Sequence, residues 1–493
     1  MPGVFLHPCR NRLGIALLCG IMIFGVVMKA WSQTPDPDMY MHTATGSSHI
    51  PEAARVLSAF LQIPSVSGQE KAAGEFLSQL CREKMLAVEV FSDEENSYNF
   101  AASLYPLDRQ KPNIIFLNHL DVVPPGDESH WQHPPFSGRI DGDTVWGRGA
   151  VDMKGIAVMQ VLALAQFAEL ARQRDLPYNA TVLSVSGEEQ LGAMGAGRVL
   201  VGHHERLQAC VVFGEGGAGV RGKIVSDPSK LVFGITVGSK RGLWLRLRLA
   251  TATLGHGSIP PHSYAGKDMV QSLASLLNKK PRLRFCPQTR RMFHEMGKLE
   301  SGLRGFVLRH NGLFRPLLRP ALRRDPVAAS LVSNTIALTH VATPVGEPNQ
   351  LAQEMTAHLD CRLLPGVETA SFIHRLKRQL KHPGISVEIL REGPQAGYTE
   401  PGPFYAHFEA ALAEVHPEGT VVPILFPASN DNSYFQAKGI PAYGILPAYL
   451  SRDLMYSIHN TNERIPFETL KDGIATYSVF LRRVMAQPVQ IKE

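Results

Sequence analysis

Cysteine and net charge are both scarce in this 493-residue sequence. It has six cysteines, which are scattered and show none of the short spacings of a cysteine zinc site: Cys9, Cys19, Cys81, Cys210, Cys286 and Cys361. One disulfide would be allowed in an oxidising compartment, but buried free thiols are the favoured interpretation. The formal net charge of +6 is weak for this length and gives no argument for nucleic-acid binding.

Internal repeats and low-complexity tracts are also missing, so the chain is not built from tandem copies of one unit. Hydrophobic residues make up 44% and charged residues 19%, which is typical of a globular protein with a large core. The length exceeds that of one ordinary domain and suits two or three.

Residues 1–33 have the pattern of an export signal. A basic start precedes an uncharged apolar run at 13–28, which is short for a membrane span of ~20 residues. Ala30-Trp31-Ser32 places small residues where a signal peptidase cuts. We therefore predict an exported protein, periplasmic or extracellular, with 34–49 as a linker. The alternative is an uncleaved membrane anchor, which Lys29 favours.

From residue 50 to 238, helical periodicity alternates with short apolar runs. Helices are predicted at 52–61, 69–84 and 153–171, and buried strands at 113–117, 180–185 and 209–213. Strands that alternate with helices indicate an α/β domain with a mostly parallel central sheet covered on both faces. The same pattern returns in residues 393–493, with strands at 423–426 and 442–446.

The intervening residues, 239–392, have a different pattern. Strands and helices are predicted in the order strand 243–249, helix 268–277, strands 333–339 and 354–361, helix 370–379 and strand 385–390. This order is that of a ferredoxin-like α+β domain, here inserted into the larger one. Within it, 281–328 is a basic helical insert with an excess of Lys and Arg. It is interpreted as a solvated cap or as an amphipathic flap that meets membranes or acyl chains through Phe306, Phe314 and Leu318.

Five short segments contain residue types that bind metals. They hold His119 with Asp121, Asp152, Glu188 with Glu189, Glu215, and His459. Three of these segments directly follow an apolar strand, and the carboxyl ends of parallel strands are where sites form. Several acids and a histidine that converge there would repel one another and lose solvation unless a cation were bound.

Each segment alone has an ordinary explanation. A lone histidine after a strand is usually a surface or capping residue, and Glu188-Glu189 could be a solvated loop pair. Asp152 could simply favour the dipole of the following helix. The combination of all five segments in this order is what indicates a metal centre.

In this order the segments resemble the aminoacylase, carboxypeptidase G, acetylornithine deacetylase and carboxypeptidase S family of dizinc metallopeptidases. The resemblance covers about residues 50–485 and rests on His-x-Asp at 119, Gly-Arg-Gly-x-x-Asp-x-Lys at 147–154, the Glu188-Glu189 pair and the terminal His459. Segments 255–261, 360–366 and 462–465 resemble the carboxypeptidase S and secreted N-fatty-acyl amino acid hydrolase branch.

The resemblance implies a zinc-peptidase catalytic domain with an inserted lid or dimerisation-type domain. It implies two Zn²⁺ per subunit, for which Co²⁺ or Mn²⁺ could substitute. Asp152 would bridge both ions, His119 and Glu215 would complete one, and Glu189 and His459 would complete the other. Glu188 would be the general base, and Asp121 would orient His119.

Three further residues acquire roles from the same resemblance. His256 would stabilise the oxyanion, in many relatives across a dimer. Arg362 and Asn334 would hold the substrate carboxylate, although Arg362 could instead be a surface residue paired with Asp360. The loop 428–433 departs from the family pattern because Ser433 replaces a basic residue, while Asp431 keeps the acidic position.

The implied activity is hydrolysis of an amide or peptide bond next to a free carboxylate, by a monomer or homodimer, on a small peptide or N-acyl amino acid. One alternative is a long-chain N-acyl amino acid hydrolase or synthase at a membrane surface. Another is an inactive binding protein of the same fold. No nucleic-acid partner is expected.

Overall fold

The computed structural model describes residues 50–490 except 253–254, 345 and 396. The predicted export signal at 1–33 and the linker at 34–49 lie outside the described residues.

The strands are, in chain order, β1 (Ala87–Glu94), β2 (Ser97–Ser103), β3 (Asn113–His119), β4 (Ile140–Asp141), β5 (Thr144–Trp146), β6 (Asn179–Val185), β7 (Ala209–Val220), β8 (Val232–Ser239), β9 (Arg241–Ala250), β10 (Thr335–Ala342), β11 (Glu354–Leu363), β12 (Ser386–Glu392), β13 (Thr420–Phe426), β14 (Ala442–Tyr449) and β15 (Arg464–Pro466).

The helices are α1 (Glu52–Leu61), α2 (Lys71–Glu83), α3 (Lys154–Ala165), α4 (Ala168–Gln173), α5 (Arg198–Leu207), α6 (Ala265–Leu277), α7 (Pro287–Leu299), α8 (Gly302–Arg309), α9 (Arg315–Arg324), α10 (Pro326–Leu331), α11 (Thr369–Leu380), α12 (Pro403–Val415), α13 (Asn432–Ala437), α14 (Arg452–Ser457) and α15 (Phe467–Ala486).

The larger sheet has eight strands in the order β1-β2-β6-β3-β7-β14-β8-β13. Its centre, β6-β3-β7-β14, is parallel throughout, whereas β1-β2, β2-β6 and β14-β8 are antiparallel. The predicted α/β fold class with a mostly parallel central sheet is therefore confirmed. The parallel strands place their carboxyl ends at one edge, which is where the candidate site lies.

Helix α3 packs on the centre of this sheet and is apolar on every side. All of its residues from Lys154 to Leu164 are buried, because the sheet covers one face and helices α1 and α15 cover others. Among the described residues, 154–173 is the one helical stretch long and apolar enough to cross a membrane, and 78% of its most apolar window is buried. It is thus a core helix of this domain.

The second sheet has the order β10-β11-β9-β12 and is antiparallel throughout. With α6 and α11 it forms the predicted ferredoxin-like arrangement between β8 and α12. Burial alternates along β11, because one face packs on the two helices and the other is open. The open face carries Asp360 and Arg362.

The basic insert between α6 and β10 forms α7 to α10, which have a small core of their own. That core contains Phe293 and Val307 and packs on Val232 and Val422 of the larger sheet. The prediction that Leu318 is an outer apolar contact is wrong, because Leu318 is only 7% exposed and belongs to this core. The exposed apolar side chains of the insert include Phe306, as predicted, and also Leu303, Leu313 and Leu317.

Some elements were not predicted, and one was placed differently. The sequence patterns did not indicate β1, β2, β8, α15 or the small sheet β15-β5-β4. The strand predicted at 209–213 extends to Val220, so Glu215 lies inside β7 rather than after it, which corrects that prediction. Cys81, Cys210, Cys286 and Cys361 are free thiols, as favoured from the sequence.

Candidate active site

His119 is the last residue of β3 and is 2% exposed. Its Nδ1 lies 2.8 Å from the main-chain oxygen of Asp121, and its Nε2 lies 3.1 Å from Oδ1 of Asp152. The contact of Nδ1 with the main chain fixes the orientation of the ring, so Nε2 points at the cluster of acidic side chains. In metal-binding histidines, the ring nitrogen that does not bind the metal makes a contact of this kind.

Asp152 lies at the centre of the cluster, in the loop before α3. While its Oδ1 faces His119, its Oδ2 lies 3.1 Å from Nε2 of His459, which also contacts Oε1 of Glu189 at 3.0 Å. His459 has a positive φ of 58° in the loop between α14 and β15. The two oxygens of one carboxylate therefore face two different histidines.

The five predicted metal ligands form two groups that share Asp152. In one group, ligand atoms of His119, Asp152 and Glu215 lie within 4.8 Å of one another, and in the other those of Asp152, Glu189 and His459 do. Two donors on one tetrahedral zinc with bonds of ~2.0–2.1 Å lie about 3.3 Å apart. The separations of 3.0–3.1 Å seen here are close to that spacing, so these residues fit a pair of metal ions.

The charge balance of the cluster also fits bound cations. Burial raises the pKa of Glu215 well above its ordinary value, and the charge of Asp152 adds to this. Hydrogen bonds to Asp152 and Glu189 raise the pKa of His459 to about 10. Without metal the cluster therefore retains protons that a divalent ion would displace.

Glu188 and Glu189 form a short 3₁₀ turn after β6, and Asp121 holds that turn. The two carboxylate oxygens of Asp121 accept hydrogen bonds from the main-chain nitrogens of Glu188 and Glu189, at 3.0 and 3.1 Å. Ser67 Oγ donates to the same carboxylate at 2.7 Å. Asp121 thus contacts His119 chiefly through its main-chain oxygen, since its carboxylate lies 3.5 Å from Nδ1.

Glu188 does not belong to either of the two ligand groups that share Asp152. Its carboxylate does lie within 4.8 Å of ligand atoms of His119 and Glu189. Burial raises the pKa of Glu188 well above its ordinary value, and the charge of Glu215 raises it further. A carboxyl group with a raised pKa beside a metal-ligand cluster is suited to accept and return a proton.

Glu215 is held by residues of the loop that precedes α13 and of the start of that helix. The side-chain nitrogens of Asn430 and Asn432 both donate to the main-chain oxygen of Glu215, at 2.9 Å each. The neighbouring strands approach very closely, since a Cβ on Gly444 would lie 2.0 Å from the same oxygen. Sequence patterns gave no indication of the two asparagines, because their partner is a main-chain atom more than 200 positions away.

Glu463 holds the loop that carries Asp152. Its carboxylate is fully buried and accepts four hydrogen bonds, from Nη1 of Arg148 at 2.8 Å and from the main-chain nitrogens of Gly149, Val151 and Asp152 at 2.9–3.1 Å. Glu463 lies four residues after His459. The segment 459–463 therefore supplies one ligand candidate, His459, and also positions the loop that carries another, Asp152. In the sequence, segment 462–465 carries a family resemblance, but its residue types give Glu463 no predicted role.

Asp431 lies beside the cluster, between the two asparagines and directly before α13. Burial raises its pKa to about 7. Its Oδ1 lies so close to Gly192, whose φ is +70°, that a Cβ there would be 1.9 Å away. Only glycine fits at that position.

His256, Arg362 and Asn334 lie outside the ligand cluster. His256 is exposed, and its Nδ1 contacts Ser258 Oγ at 2.7 Å. Arg362 pairs with Asp360 Oδ2 at 3.0 Å and also reaches Ser429 Oγ at 2.5 Å, across to the loop of Asp431. Asn334 accepts a hydrogen bond from the main-chain nitrogen of Leu364 at 2.9 Å. Among the described residues, none of these three contacts a ligand candidate by a hydrogen bond or ion pair.

The fold and the cluster together are those of a metallopeptidase. Residues 115–483 match the family described as Peptidase family M20/M25/M40, which is well over half of the chain. The protein therefore belongs to this family and is a hydrolase.

Individual relatives are distant but extend over most of the chain. It is 24% identical over 403 residues to the probable carboxypeptidase S-like 2 of Dictyostelium discoideum, covering 80% of this chain and 75% of that protein. It is also 24% identical over 464 residues to the N-fatty-acyl-amino acid synthase/hydrolase PM20D1 of Mus musculus, covering 89% and 90%. The solved M20 family metallo-carboxypeptidase Sso-CP2 from Sulfolobus solfataricus superposes with a TM-score of 0.69 at 19% identity, covering 89% and 100%.

Proposed function

We propose that this protein is a dizinc amidohydrolase that cleaves an amide or peptide bond next to a free carboxylate. The observation that carries the proposal is the pair of ligand groups that share Asp152, with Glu188 beside them. His119 and Glu215 would hold one ion with Asp152. Glu189 and His459 would hold the other.

The chain's own residues perform the proton transfers. When bound, two such ions supply the Lewis acidity that activates a water molecule and polarises an amide carbonyl. Glu188 then takes a proton from the attacking water and returns it to the leaving amine. Burial raises the pKa of Glu188, and a raised pKa favours the second of these steps, because a carboxylate with an ordinary pKa is a poor proton donor at neutral pH.

The inserted domain, residues 239–392, would act as a lid over the catalytic halves at 50–238 and 393–493. His256 would donate a hydrogen bond to the developing oxyanion, in this chain or across a dimer. Arg362 already bridges the two parts through Ser429, and its planar fork suits a substrate carboxylate. Asn334 would add a donor through its amide nitrogen, since its oxygen is occupied by Leu364.

The substrate is either a small peptide or an N-acyl amino acid, because both present an amide beside a carboxylate. An extended similarity to the mouse N-fatty-acyl-amino acid synthase/hydrolase supports an acyl substrate. Exposed Leu303, Phe306 and Leu313 in the basic insert support action at a membrane surface. We also propose that the protein is exported from the cytoplasm. The alternative function is that of an inactive binding protein of the same fold, and measurable turnover would exclude it.

A hydrolysis screen tests the proposal. Purified protein would be incubated with dipeptides and with N-acyl amino acids of increasing chain length, each with Zn²⁺, Co²⁺ or Mn²⁺ supplied. The expected result is metal-dependent release of a free amino acid, and a preference for long acyl chains would select the acyl substrates. Zinc binding without turnover on any member of the series would contradict the proposal.

A further inference from the structure

A cavity of about 890 Å³ lies on the helix side of the four-stranded sheet. Its walls come from the end of α6, the chain leading into α7, helix α10, the start of β10 and helix α11. A volume of this size matches the clefts that hold small organic ligands, and it is far larger than an inorganic anion needs. None of the five metal-ligand candidates lines it.

Five cationic side chains line this cavity, and no acidic residue does. They are Lys279, Lys280, Arg282, Arg284 and Arg375. Within the described part of the chain, none of these five side chains makes a hydrogen bond or an ion pair. Arg375 is partly buried and the other four are exposed, and a bound anion would relieve the repulsion that remains among these like charges.

Some arginines of the same domain are paired, since on β9 Arg241 pairs with Glu392 and Arg248 pairs with Glu354. Among the described residues, unpaired cations also occur outside the cavity, for example Arg319 and Arg323 on α9. What marks the cavity is that five cations line it with no acid among them. The cations also come from two different segments, since Arg375 is on α11 and the other four are in the chain before α7.

The floor between these cations is apolar. Leu276, Leu364, Phe372 and Leu376 line the cavity and belong to the core of the domain. Arginine pairs bidentately with carboxylates and phosphates, while an apolar floor accepts a hydrocarbon chain. A ligand with an anionic head group and an apolar chain, that is, an amphiphilic organic anion, would contact both the cations and the apolar floor.

Glu188, His256 and Arg362 of the proposed catalytic cleft do not line this cavity. Among the residues predicted to contact substrate, Asn334 lines it, and its side-chain oxygen is already bonded to Leu364. Arg362 reaches Ser429 instead, on the catalytic side. Nζ of buried Lys240 donates to the main-chain oxygen of Ser330 and to Oγ1 of Thr335, two residues that line the cavity.

From this arrangement we infer that the inserted domain carries a second binding site, which takes an anion of carboxylate or phosphate type bearing an apolar chain. The inference does not depend on the proposed catalysis, since binding alone is measured. The head group could come from a fatty acid or from a phosphorylated lipid, and the two sources share the same recognition chemistry.

Calorimetric titration of the full-length protein would test this site with octanoate, octyl phosphate, inorganic phosphate and octanol. Octanoate or octyl phosphate should bind at least tenfold more tightly than inorganic phosphate or octanol. Only these two ligands contact both the cationic side chains and the apolar floor of the cavity. The tighter of the two identifies the source of the head group. Octanol binding as tightly as octanoate, or inorganic phosphate binding as tightly as octyl phosphate, would overturn the inference.

Two pairs of substitutions locate the binding. Arg284→Glu with Arg375→Glu should weaken octanoate binding more than tenfold, and Lys279→Glu with Lys280→Glu, at exposed positions, provides a second variant that disturbs packing less. Arg319→Glu with Arg323→Glu removes the same charge from exposed positions on α9 outside the cavity and should leave binding unchanged. Equal affinity of the wild type and both cavity variants would show that the site is elsewhere.

Discussion

Replacing Glu463 by Gln tests whether this residue positions the candidate metal centre. Oε2 of Glu463 accepts hydrogen bonds from Arg148 and Gly149, and Oε1 accepts them from Val151 and Asp152. Glutamine keeps one oxygen and replaces the other by an NH₂ group, which cannot accept. Its oxygen should face the Arg148 side, because an unpaired buried charge is the costlier loss.

The main-chain nitrogens of Val151 and Asp152 would then lose their acceptor. Each buried donor left unsatisfied costs ~1–3 kcal/mol, so the variant should lose about 2–6 kcal/mol of unfolding free energy. That is a large part of the ~5–15 kcal/mol typical of a domain. Because the loop carries Asp152, zinc affinity should also fall, by roughly 10–100-fold.

Urea denaturation of the metal-free protein would measure the stability, and zinc titration against a competing indicator would measure the affinity. Glu468→Gln is the matched control, since Glu468 is exposed and pairs with Lys471 on the same helix. It should change stability by less than ~0.5 kcal/mol. If Glu463→Gln matched this control in both measurements, Glu463 would not position the Asp152 loop.

Three further predictions concern catalysis, recognition and pH. Glu188→Gln should retain bound metal by elemental analysis yet lose ~10²–10⁴ in turnover; near wild-type turnover would remove Glu188 as the base. Arg362→Ala should lower kcat/KM for a free-acid substrate roughly tenfold to more than a hundredfold, from a charge-assisted bond of ~1.5–3 kcal/mol, but barely change that of the amidated substrate; equal losses on both would make Arg362 structural. In the chelated protein, the pKa of His459 is raised from 6.5 to about 10, so its stabilisation is fully present below pH 6.5 and is lost as the pH rises toward 10. Burial also raises the pKa of Glu188 and Glu215, which acts in the same direction. Burial lowers the pKa of Lys154 and of Lys240 to about 7, which acts in the opposite direction above pH 7, so the Tm change of the chelated protein is compared with that of a chelated His459→Gln variant. Between pH 6 and pH 9 the wild type should lose more Tm, or gain less, than the variant does; equal changes in the two proteins would contradict the raised pKa of His459.

Much of the fold follows from sequence periodicity, and its exceptions have physical causes. Helix α1 and strands β3 and β11 were predicted because their apolar spacing matches their burial. Strand β2 was not predicted, because it is fully buried yet contains Ser97 and Asn99. The side chain of Asn99 donates to Ser92 and Ser97, so internal hydrogen bonds replace the apolar pattern.

Some residues of the candidate site could likewise be predicted from the sequence, and others could not. His119, Glu188 and Glu189 could be proposed from sequence because each ends or follows an apolar strand of a parallel sheet. Glu463, Asn430 and Asn432 could not, because they act on main-chain atoms more than 200 residues away, and no local spacing records such a contact. Glu215 was proposed as a ligand although its strand was predicted to end too early.

The most direct test of the two-metal proposal is a zinc titration of the chelated protein with hydrolysis of an N-acyl amino acid as the readout. Activity should reach its maximum only at two bound ions per chain, and Asp152→Ala should bind neither ion tightly, recover no activity and lose the stabilisation that bound metal provides. Full activity without metal or at one ion, or an unchanged zinc stoichiometry in Asp152→Ala, would contradict a centre in which Asp152 bridges two ions.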